Sequence, residues 1–226
     1  MSDMMQITNS YGRQLTQAEI NAKSHREYVR GMWDEIGILQ FNFLKDHGLK
    51  PDHCLLDVGC GALRGGIHFA RYLNNGHYYG IDINPSLIEA GKKELQDAGL
   101  LPKQSHLLVN DKFEARQFGM RFDFAIAQSV FTHLPINDIV RCLAEICGVM
   151  KPDGVFFATF FEAPSAVHLN QITHPTGGVV TNFDKDPFHY AFSDFQWMAR
   201  LAGMNVNLIG DWKHPRDQKM LAFQVL

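Results

Sequence analysis

The chain has 226 residues, of which 46% are hydrophobic and 20% charged, and its 21 basic and 24 acidic side chains leave a net charge of −3 at pH 7. This length and composition predict one elaborated globular domain, with a core large enough to fold without disulfides or a structural metal. Lysine and arginine form no tract, which argues against a nucleic-acid partner and against an anionic membrane surface.

Cysteine usage and apolar run length bear on the compartment. The four cysteines contain no C-x-x-C pair and are too irregular for a disulfide framework. Residues 1–14 are polar and lack the apolar core of a secretory signal. The longest apolar stretch, residues 155–161, is far shorter than the roughly 20 residues of a membrane helix. We therefore expect a reduced, cytoplasmic protein.

The N-terminal region is predicted to be a loose tail followed by helices. Residues 1–15 show no hydrophobic period, whereas Thr16 and Glu19 have the spacing of a capping box. Apolar residues then recur at helical spacing, and Gly31 and Gly37 are expected to break this stretch into two helices.

Strand-length apolar runs and helical patterns alternate in the next part of the chain. Strands are predicted at residues 54–58, 78–82, 105–109, 122–127 and 155–160, and helices at residues 63–73, 85–98 and 136–150. A helix capped by Ser193 and two strands at residues 205–209 and 219–226 complete the chain. Such alternation with short turns indicates a parallel sheet covered by helices on both faces.

A segment without period separates these two parts. Residues 162–190 carry three histidines and three prolines, and we interpret them as a functional insertion with short pieces of structure. We divide the chain into residues 1–48, which form a tail and helices that cover the site, and residues 49–226, the ligand-binding domain.

The turn after the first predicted strand is rich in glycine, with the sequence Asp57-Val58-Gly59-Cys60-Gly61. Glycines let a ligand lie against main-chain N–H groups at the start of a helix. Asp82 closes the second strand, where a carboxylate can accept both hydroxyl hydrogens of a ribose. A dinucleotide fingerprint would need a third glycine at position 64, and Arg64 in its place disfavours NAD.

Four motifs in order resemble those of the class I S-adenosylmethionine-dependent methyltransferases, in particular the small-molecule type. They are residues 57–61, residues 80–82, residues 122–134 and Met150-Lys151-Pro152-Asp153-Gly154. The resemblance covers about residues 50–165, and the C-terminal strand pair more loosely. It implies a doubly wound α/β fold with a seven-stranded, mostly parallel sheet of order 3-2-1-4-5-7-6, whose last strand is antiparallel.

The resemblance also implies S-adenosyl-L-methionine as the cofactor. Gly59 and Gly61 would lie against its methionine part, Asp82 would hold the ribose hydroxyls, and Asp111 would contact the adenine amino group. The complete set of expected cofactor-binding residues is Asp57, Gly59, Cys60, Gly61, Arg64, Asp82, Ile83, Asp111, Lys112, Phe113, Gln128 and Ser129. The stretch from Ala62 to Arg64 departs from members with a further glycine, so the loop path is expected to differ there.

Methyl transfer from a sulfonium needs an aligned acceptor and a site without water, and a base adds about 10²–10⁴-fold if the acceptor is a hydroxyl. His133 and His189 are the candidate bases; a helix-cap or packing role is the alternative for His133, and a solvated loop position for His189. The candidate acceptor-binding residues are His168, His174, Tyr190, His214 and Arg216. No metal site is predicted, because the histidines lack a metal-ligand spacing.

The expected function is methylation of a small molecule, most simply at oxygen, in the tailoring of a glycan or secondary metabolite. The Asn/Asp-Pro-Pro-Tyr signature for exocyclic base amines is replaced by Gln128-Ser129-Val130-Phe131, which argues against nucleic-acid methylation. Two alternatives stay open, an NAD-linked oxidoreductase and a catalytically silent cofactor-binding module. Tyr28, Met32 and Trp33 suit a lid over the cofactor or simple core packing.

Overall fold

A computed structural model describes residues 12–226, so most of the predicted loose tail lies outside the described residues. The strands are β1 (Leu55–Val58), β2 (Tyr78–Asp82), β3 (His106–Val109), β4 (Phe122–Ala127), β5 (Met150–Phe160), β6 (Ile172–Thr173), β7 (Val180–Thr181), β8 (Met204–Asp211) and β9 (Lys219–Val225). Seven of them form one sheet of order β3-β2-β1-β4-β5-β9-β8, in which β9 is antiparallel to both of its neighbours. Because β6 and β7 pair only with each other, this order is 3-2-1-4-5-7-6 within the sheet, and the predicted fold is confirmed.

Helices cover both faces of this sheet. They are α1 (Gln17–Asn21), α2 (His25–Tyr28), α3 (Trp33–Asp46), α4 (Gly66–Tyr72), α5 (Pro85–Asp97), α6 (Ile136–Cys147) and α7 (Phe192–Leu201). Side chains of α3, α4 and α5 share one buried core with the sheet, and side chains of α6 and α7 share the other. The central strand β1 is buried along its whole length, which explains why three of its four residues are apolar.

The N-terminal helices begin as the sequence predicts but break at a different place. The Thr16 hydroxyl accepts a hydrogen bond from the Glu19 backbone N–H, which confirms the capping box. Gly31 lies in the turn between α2 and α3 with φ +62°, also as expected. Gly37 was expected at a break, and this prediction is wrong, because it lies inside α3. A Cβ there would lie 2.5 Å from the carbonyl oxygen of Arg64, so this glycine lets α3 approach the loop after β1.

Two other helix starts differ from the sequence expectation. The helix expected from Leu63 begins at Gly66, because Leu63 has φ +67° and belongs to the preceding turn. Ser193 does not cap α7. The residue before that helix is Ala191, and its backbone N–H donates to the Asp194 carboxylate at 2.9 Å.

The insertion at residues 162–190 contains a short 3-10 turn, Ser165–Val167, and the β6–β7 hairpin. Isolated bridges join Glu162 to Tyr190 and Asn182 to Phe188, so the two ends of the insertion lie side by side. Among residues 12–226, no helix is both long and apolar enough to cross a membrane.

A buried ion pair attaches the N-terminal helices to the sheet domain. Glu94 of α5 is 5% exposed and accepts hydrogen bonds from His25 Nε2 and from Arg26 Nε and Nη2, each at 2.8 Å. Leu15 and Ile20 pack beside it in a small apolar cluster shared with α5. These contacts hold the start of the described chain against the edge of the cleft described next.

Candidate active site

A cleft of about 1500 Å³ opens at the carboxyl ends of the parallel strands. It lies between the turn that joins α2 to α3 (the N-terminal turn), the loops after β1 to β4 and the insertion. Open parallel sheets bind ligands at this edge, next to the point where strand order reverses. All twelve expected cofactor-binding residues line the cleft. The structure therefore brings together side chains and backbone from four separate loops.

The loop after β1 depends on glycine at two positions. The backbone N–H groups of Gly59 and Cys60 both donate to the carbonyl of Ile81, at 2.8 and 3.0 Å, which folds the loop over the end of β2. Gly59 has φ +68° and Gly61 φ +54°, conformations that side chains disfavour. A Cβ at Gly59 would also lie 2.5 Å from Val130 Cγ2. The turn after β4 therefore approaches the loop after β1 closely.

Asp82 is held at the end of β2 by backbone groups. Its Oδ2 accepts from Gly61 N–H and its Oδ1 from Asn84 N–H, both at 2.8 Å. Burial raises the pKa of Asp82, and the two backbone hydrogen bonds oppose that shift. Each carboxylate oxygen keeps further acceptor capacity, which suits a ligand with two adjacent hydroxyls.

Asp57, near the end of β1, and Cys60, in the loop that follows it, are both buried. Burial raises the pKa of Asp57 to about 7, although the Tyr78 hydroxyl donates to its Oδ2 at 2.8 Å and favours the carboxylate. Burial also raises the pKa of the Cys60 thiol well above its ordinary value. Cys60 therefore stays protonated and is a packing residue of the loop and not a nucleophile.

Arg64 fits this cleft because its guanidinium points at the N-terminal turn. It donates to the carbonyls of Val29 and Gly31 at 3.1 and 3.0 Å and to Gln128 Oε1 at 2.8 Å. The residue that takes the place of a third glycine thus joins the turn between α2 and α3 to the end of β4. Sequence reasoning assigned Arg64 to the cofactor and missed this long-range contact.

Backbone caps and amide contacts shape the loops after β3 and β4. The Asn110 side-chain oxygen accepts from the N–H groups of Lys112 and Glu114, at 2.8 and 3.1 Å, which curves the segment that carries Asp111 and Phe113. At the end of β4, the backbone N–H of Ser129 donates to Thr159 Oγ1 at 2.7 Å. Gln218 Nε2 donates to Ser129 Oγ at 2.8 Å, which joins the turn before β9 to the loop after β4.

Of the residues expected around the acceptor, only His133 and Arg216 line the cleft in the part of the chain that the structure describes. His133 lies in the 3-10 turn after β4, and its Nδ1 is hydrogen-bonded to the Asp186 carboxylate. Arg216 lies in the β8–β9 turn and donates through Nη2 to the carbonyl of Arg30. Both residues can therefore meet an acceptor.

Two buried histidines of the insertion, His189 and His174, make structural contacts. His189, expected as a base, is fully buried; its Nδ1 lies 2.8 Å from Thr181 Oγ1 and its Nε2 lies 2.8 Å from the carbonyl of His168. His174 Nε2 contacts the same threonine hydroxyl at 3.0 Å. Both rings thus contact the hydroxyl of Thr181 in β7, and His174 Nδ1 also lies 3.7 Å from the Asp217 carboxylate. The expectation that His189 and His174 face the acceptor is therefore corrected.

Tyr190, His214 and His168 also differ from the expectation. The Tyr190 hydroxyl is buried and donates to the carbonyl of Leu134 at 2.6 Å. Burial lowers the pKa of His214 to about 3, and this neutral ring accepts from the Arg216 backbone N–H at 3.2 Å. His168 lies on the insertion with Nε2 3.6 Å from the Asp194 carboxylate. All three support loops that line the cleft without lining it themselves, as far as residues 12–226 show.

Several lining residues escaped sequence reasoning. They are Val29, Arg30, Gln40, Thr132, Asp138 and Arg141. The hairpin residues Gly177, Gly178, Val179 and Val180 also line the cleft, and they lie within the segment that the sequence indicates as a functional insertion. Among the described residues, no group of three or more His, Cys, Asp or Glu side chains is placed to hold a metal ion.

The two loop glycines give a matched pair of variants. Gly59→Ala is expected to lower the free energy of unfolding by about 2 kcal/mol or more, from the left-handed conformation and from the contact with Val130. Gly61→Ala meets only Val29 Cγ1, at 3.8 Å, so about 1 kcal/mol is expected from conformation alone. Chemical denaturation measures both. Adding Val130→Ala should recover part of the loss at Gly59 only, and an equal recovery at Gly61 would contradict the steric explanation.

Known proteins share both the motifs and the architecture. A family model described as a methyltransferase domain matches residues 56–156. Sphingolipid C9-methyltransferase A of Emericella nidulans is 27% identical over 114 residues, which cover 49% of this chain and 21% of that protein. The chain thus matches about a fifth of the length of that curated relative.

Solved structures resemble the whole described fold. The CcbJ methyltransferase from Streptomyces caelestis superposes with a TM-score of 0.69 at 12% identity, covering 96% of this chain and 98% of that one. Magnesium protoporphyrin IX methyltransferase from Synechocystis, crystallised with bound S-adenosylmethionine, gives 0.60 at 14% identity, with 96% and 88% covered. The family model matches the central part of the chain, and the strand order is that of the fold which these methyltransferase structures share with it.

Proposed function

We propose that this protein transfers the methyl group of S-adenosylmethionine to a hydroxyl oxygen of a small molecule. The observation that carries the proposal is the position of Asp82. Its buried carboxylate closes β2 inside the cleft, with both oxygens oriented by backbone N–H groups, beside the glycine loop after β1. A nucleoside ribose is the ligand that such a carboxylate binds in doubly wound folds.

The other cleft residues fit the rest of this cofactor. The left-handed turns at Gly59 and Gly61 keep side chains away from the space over the loop, where the methionine part would lie. The curved segment from Asp111 to Phe113 offers an acidic group and an aromatic ring for the adenine. When bound, the cofactor supplies a methyl group on a positively charged sulfur. The buried Asp57 carboxyl, whose pKa lies at about 7, supports positive charge nearby when it is ionised.

We further propose that the N-terminal region covers the cofactor. Val29 and Arg30 line the cleft, whereas Tyr28 and Trp33 pack against the cluster that α1 shares with α5. The carbonyls of residues 29, 30 and 31 each accept a hydrogen bond from an arginine of the sheet domain. A turn held at three consecutive carbonyls excludes water from the site, which methyl transfer requires.

The acceptor is proposed to bind between the insertion and the β8–β9 turn. His133, Arg216 and the hairpin residues 177–180 line this side of the cleft. His133 would accept the hydroxyl proton, and Arg216 would pair with an anionic or polar group of the acceptor through its planar guanidinium. A cleft of this size with these groups suits a small molecule, and hydroxylated glycan and secondary-metabolite compounds are the first to test.

Ligand binding and turnover distinguish this function from its alternatives. Calorimetry with S-adenosylhomocysteine and with NAD on the same protein should give binding only to the first. Binding of NAD alone would overturn the proposal in favour of an oxidoreductase. A panel of phenols, alcohols, sugars and amines with radiolabelled S-adenosylmethionine then measures transfer; binding without transfer to any acceptor would indicate a silent module.

Arg216→Ala tests the acceptor side. The acceptor should be a compound of this panel that the wild type methylates and that carries an anionic group. Its KM is expected to rise at least tenfold in the variant, since hydrogen bonds to charged groups contribute about 1.5–3 kcal/mol. The dissociation constant of S-adenosylhomocysteine should change less than threefold. Lys213→Ala is the matched control, because this lysine lies in the same turn with a side chain 84% exposed and pairs with Asp211. Equal acceptor KM values for the two variants would remove Arg216 from the acceptor site.

A further inference from the structure

The insertion delivers a carboxylate to the histidine that borders the reaction side of the cleft. His133 Nδ1 is hydrogen-bonded to Asp186 Oδ1, and the two side chains are 12% and 16% exposed. The two residues are 53 positions apart in the chain, so the pairing exists only because the insertion folds back onto the turn after β4. Nothing in the motifs of the sequence indicates it.

Backbone contacts on both sides hold this pair in register. Phe188 N–H donates to the carbonyl of Thr132 at 2.8 Å, and the Tyr190 hydroxyl donates to the carbonyl of Leu134 at 2.6 Å. The residues before and after His133 are thus hydrogen-bonded to the part of the insertion that follows Asp186. These two hydrogen bonds keep the Asp186 carboxylate beside the ring.

We propose that Asp186 is a positioning residue for methyl transfer, acting by holding the imidazole of His133 with its proton on Nδ1. This inference rests on the proposed function. A carboxylate at Nδ1 selects the tautomer whose Nε2 carries the lone pair, and it stabilises the imidazolium that forms when Nε2 takes a proton. In this proposal, an acceptor hydroxyl in the cleft would hydrogen-bond to Nε2.

The proton and charge balance is complete with this pair. As the new O–CH3 bond forms and the C–S bond of the sulfonium breaks, the hydroxyl proton moves to His133 Nε2. The products are the methyl ether, neutral S-adenosylhomocysteine and an imidazolium facing the Asp186 carboxylate. The positive charge therefore passes from sulfur to a ring that already has a counter-ion, and the proton leaves to solvent when the products depart.

The tautomer of His133 is measurable without any acceptor. Two-bond ¹H–¹⁵N spectra of the complex with S-adenosylhomocysteine at pH 8 should show a ring protonated at Nδ1, assigned by its loss in His133→Gln. In Asp186→Asn, the carboxylate preference is removed and the Nε2–H form should increase. A wild-type ring protonated at Nε2, or a spectrum that Asp186→Asn leaves unchanged, would overturn the proposal.

Kinetics with a hydroxyl acceptor complete the test. Asp186→Asn is expected to lower kcat by about 10²-fold, within the range of base catalysis, with the cofactor dissociation constant and acceptor KM changed little. The double variant with His133→Ala should be no slower than His133→Ala alone, because Asp186 acts through that ring. Asp184→Asn, an exposed carboxylate of the same loop, is the charge-matched control and should retain full activity.

Three results separate the two proposals. Additive losses in the double variant, or a loss confined to thermal stability and cofactor binding, would reduce Asp186 to a structural ion pair. Unchanged kcat in Asp186→Asn on an acceptor that the wild type methylates would also overturn its positioning role. Wild-type protein that binds S-adenosylhomocysteine, shows the expected tautomer and methylates no hydroxyl would instead overturn the proposed function.

Discussion

Asp82→Ala is expected to weaken the binding of S-adenosylhomocysteine at least a hundredfold. Two charge-assisted hydrogen bonds from ribose hydroxyls to a buried carboxylate contribute at least about 1.5 kcal/mol each, and about 3 kcal/mol corresponds to a factor above 100 in the dissociation constant. The loss should be larger than for an exposed carboxylate, since Asp82 is only 8% exposed. Calorimetry on the purified variant measures it.

The folded state of this variant needs its own measurement. Gly61 and Asn84 lose the acceptor of their backbone N–H groups in Asp82→Ala, so some loss of stability without ligand is expected. Asp82→Asn keeps one acceptor oxygen and should lie between the two proteins in affinity. Asp153→Ala removes an exposed carboxylate at the opposite end of the sheet and is expected to bind normally. Wild-type affinity in folded Asp82→Ala would move the cofactor away from the end of β2.

Glu94→Gln is expected to lower the free energy of unfolding at pH 7 by about 3 kcal/mol, because it leaves the partners of a buried ion pair without their counter-ion. Burial disfavours the Glu94 carboxylate, but hydrogen bonds from His25 and Arg26 outweigh it and lower the pKa to about 2. Urea denaturation measures the difference between the variant and the wild type. Glu89→Gln, on the exposed side of the same helix, pairs only with Lys92 in the described structure and should change stability by under about 1 kcal/mol.

The pH dependence of this difference has a definite sign. A carboxyl whose pKa is lower in the folded chain than its ordinary 4.5 stabilises the fold above that ordinary value. The stabilisation is lost as pH falls from 4.5 toward 2, where the carboxyl becomes protonated in both states. The gap between wild type and Glu94→Gln should therefore be largest near neutral pH and shrink in this acidic window. A gap that stays constant down to pH 3 would show that Glu94 acts through packing alone.

The sequence by itself determined the architecture and which loops after the parallel strands line the cleft. Strands buried on both faces are mostly apolar, so β1 and β4 were visible as short apolar runs, each interrupted by one aspartate. Loops that follow parallel strands meet at one edge of the sheet, which is why residues as distant as Gly59 and Ser129 could be assigned to one cleft. Local backbone rules sufficed for the capping box at Thr16 as well.

Boundaries that depend on close packing were beyond such local rules. Gly37 has the signature of a helix break, yet it lies inside α3 because that helix must approach the carbonyl of Arg64. Leu63 fits a helical pattern, yet its left-handed φ delays α4 by three residues. At Gly37 a contact with a distant segment favours glycine inside the helix, and the residue's weak helix preference does not oppose it.

Only the tertiary structure decided which of the polar side chains predicted to meet an acceptor face the cleft. Histidines 133 and 189 were both candidate bases in the sequence, but His133 lines the cleft against Asp186 and His189 is buried against Thr181. Arg64 likewise was assigned by its place in a motif, and its contacts with the N-terminal turn span more than 30 positions. The physical reason is that a polar group is stable wherever it finds a partner, and partners far apart in the chain leave no periodic pattern. Apolar burial repeats along each strand and helix and can be read from the sequence, whereas a single long-range hydrogen bond cannot.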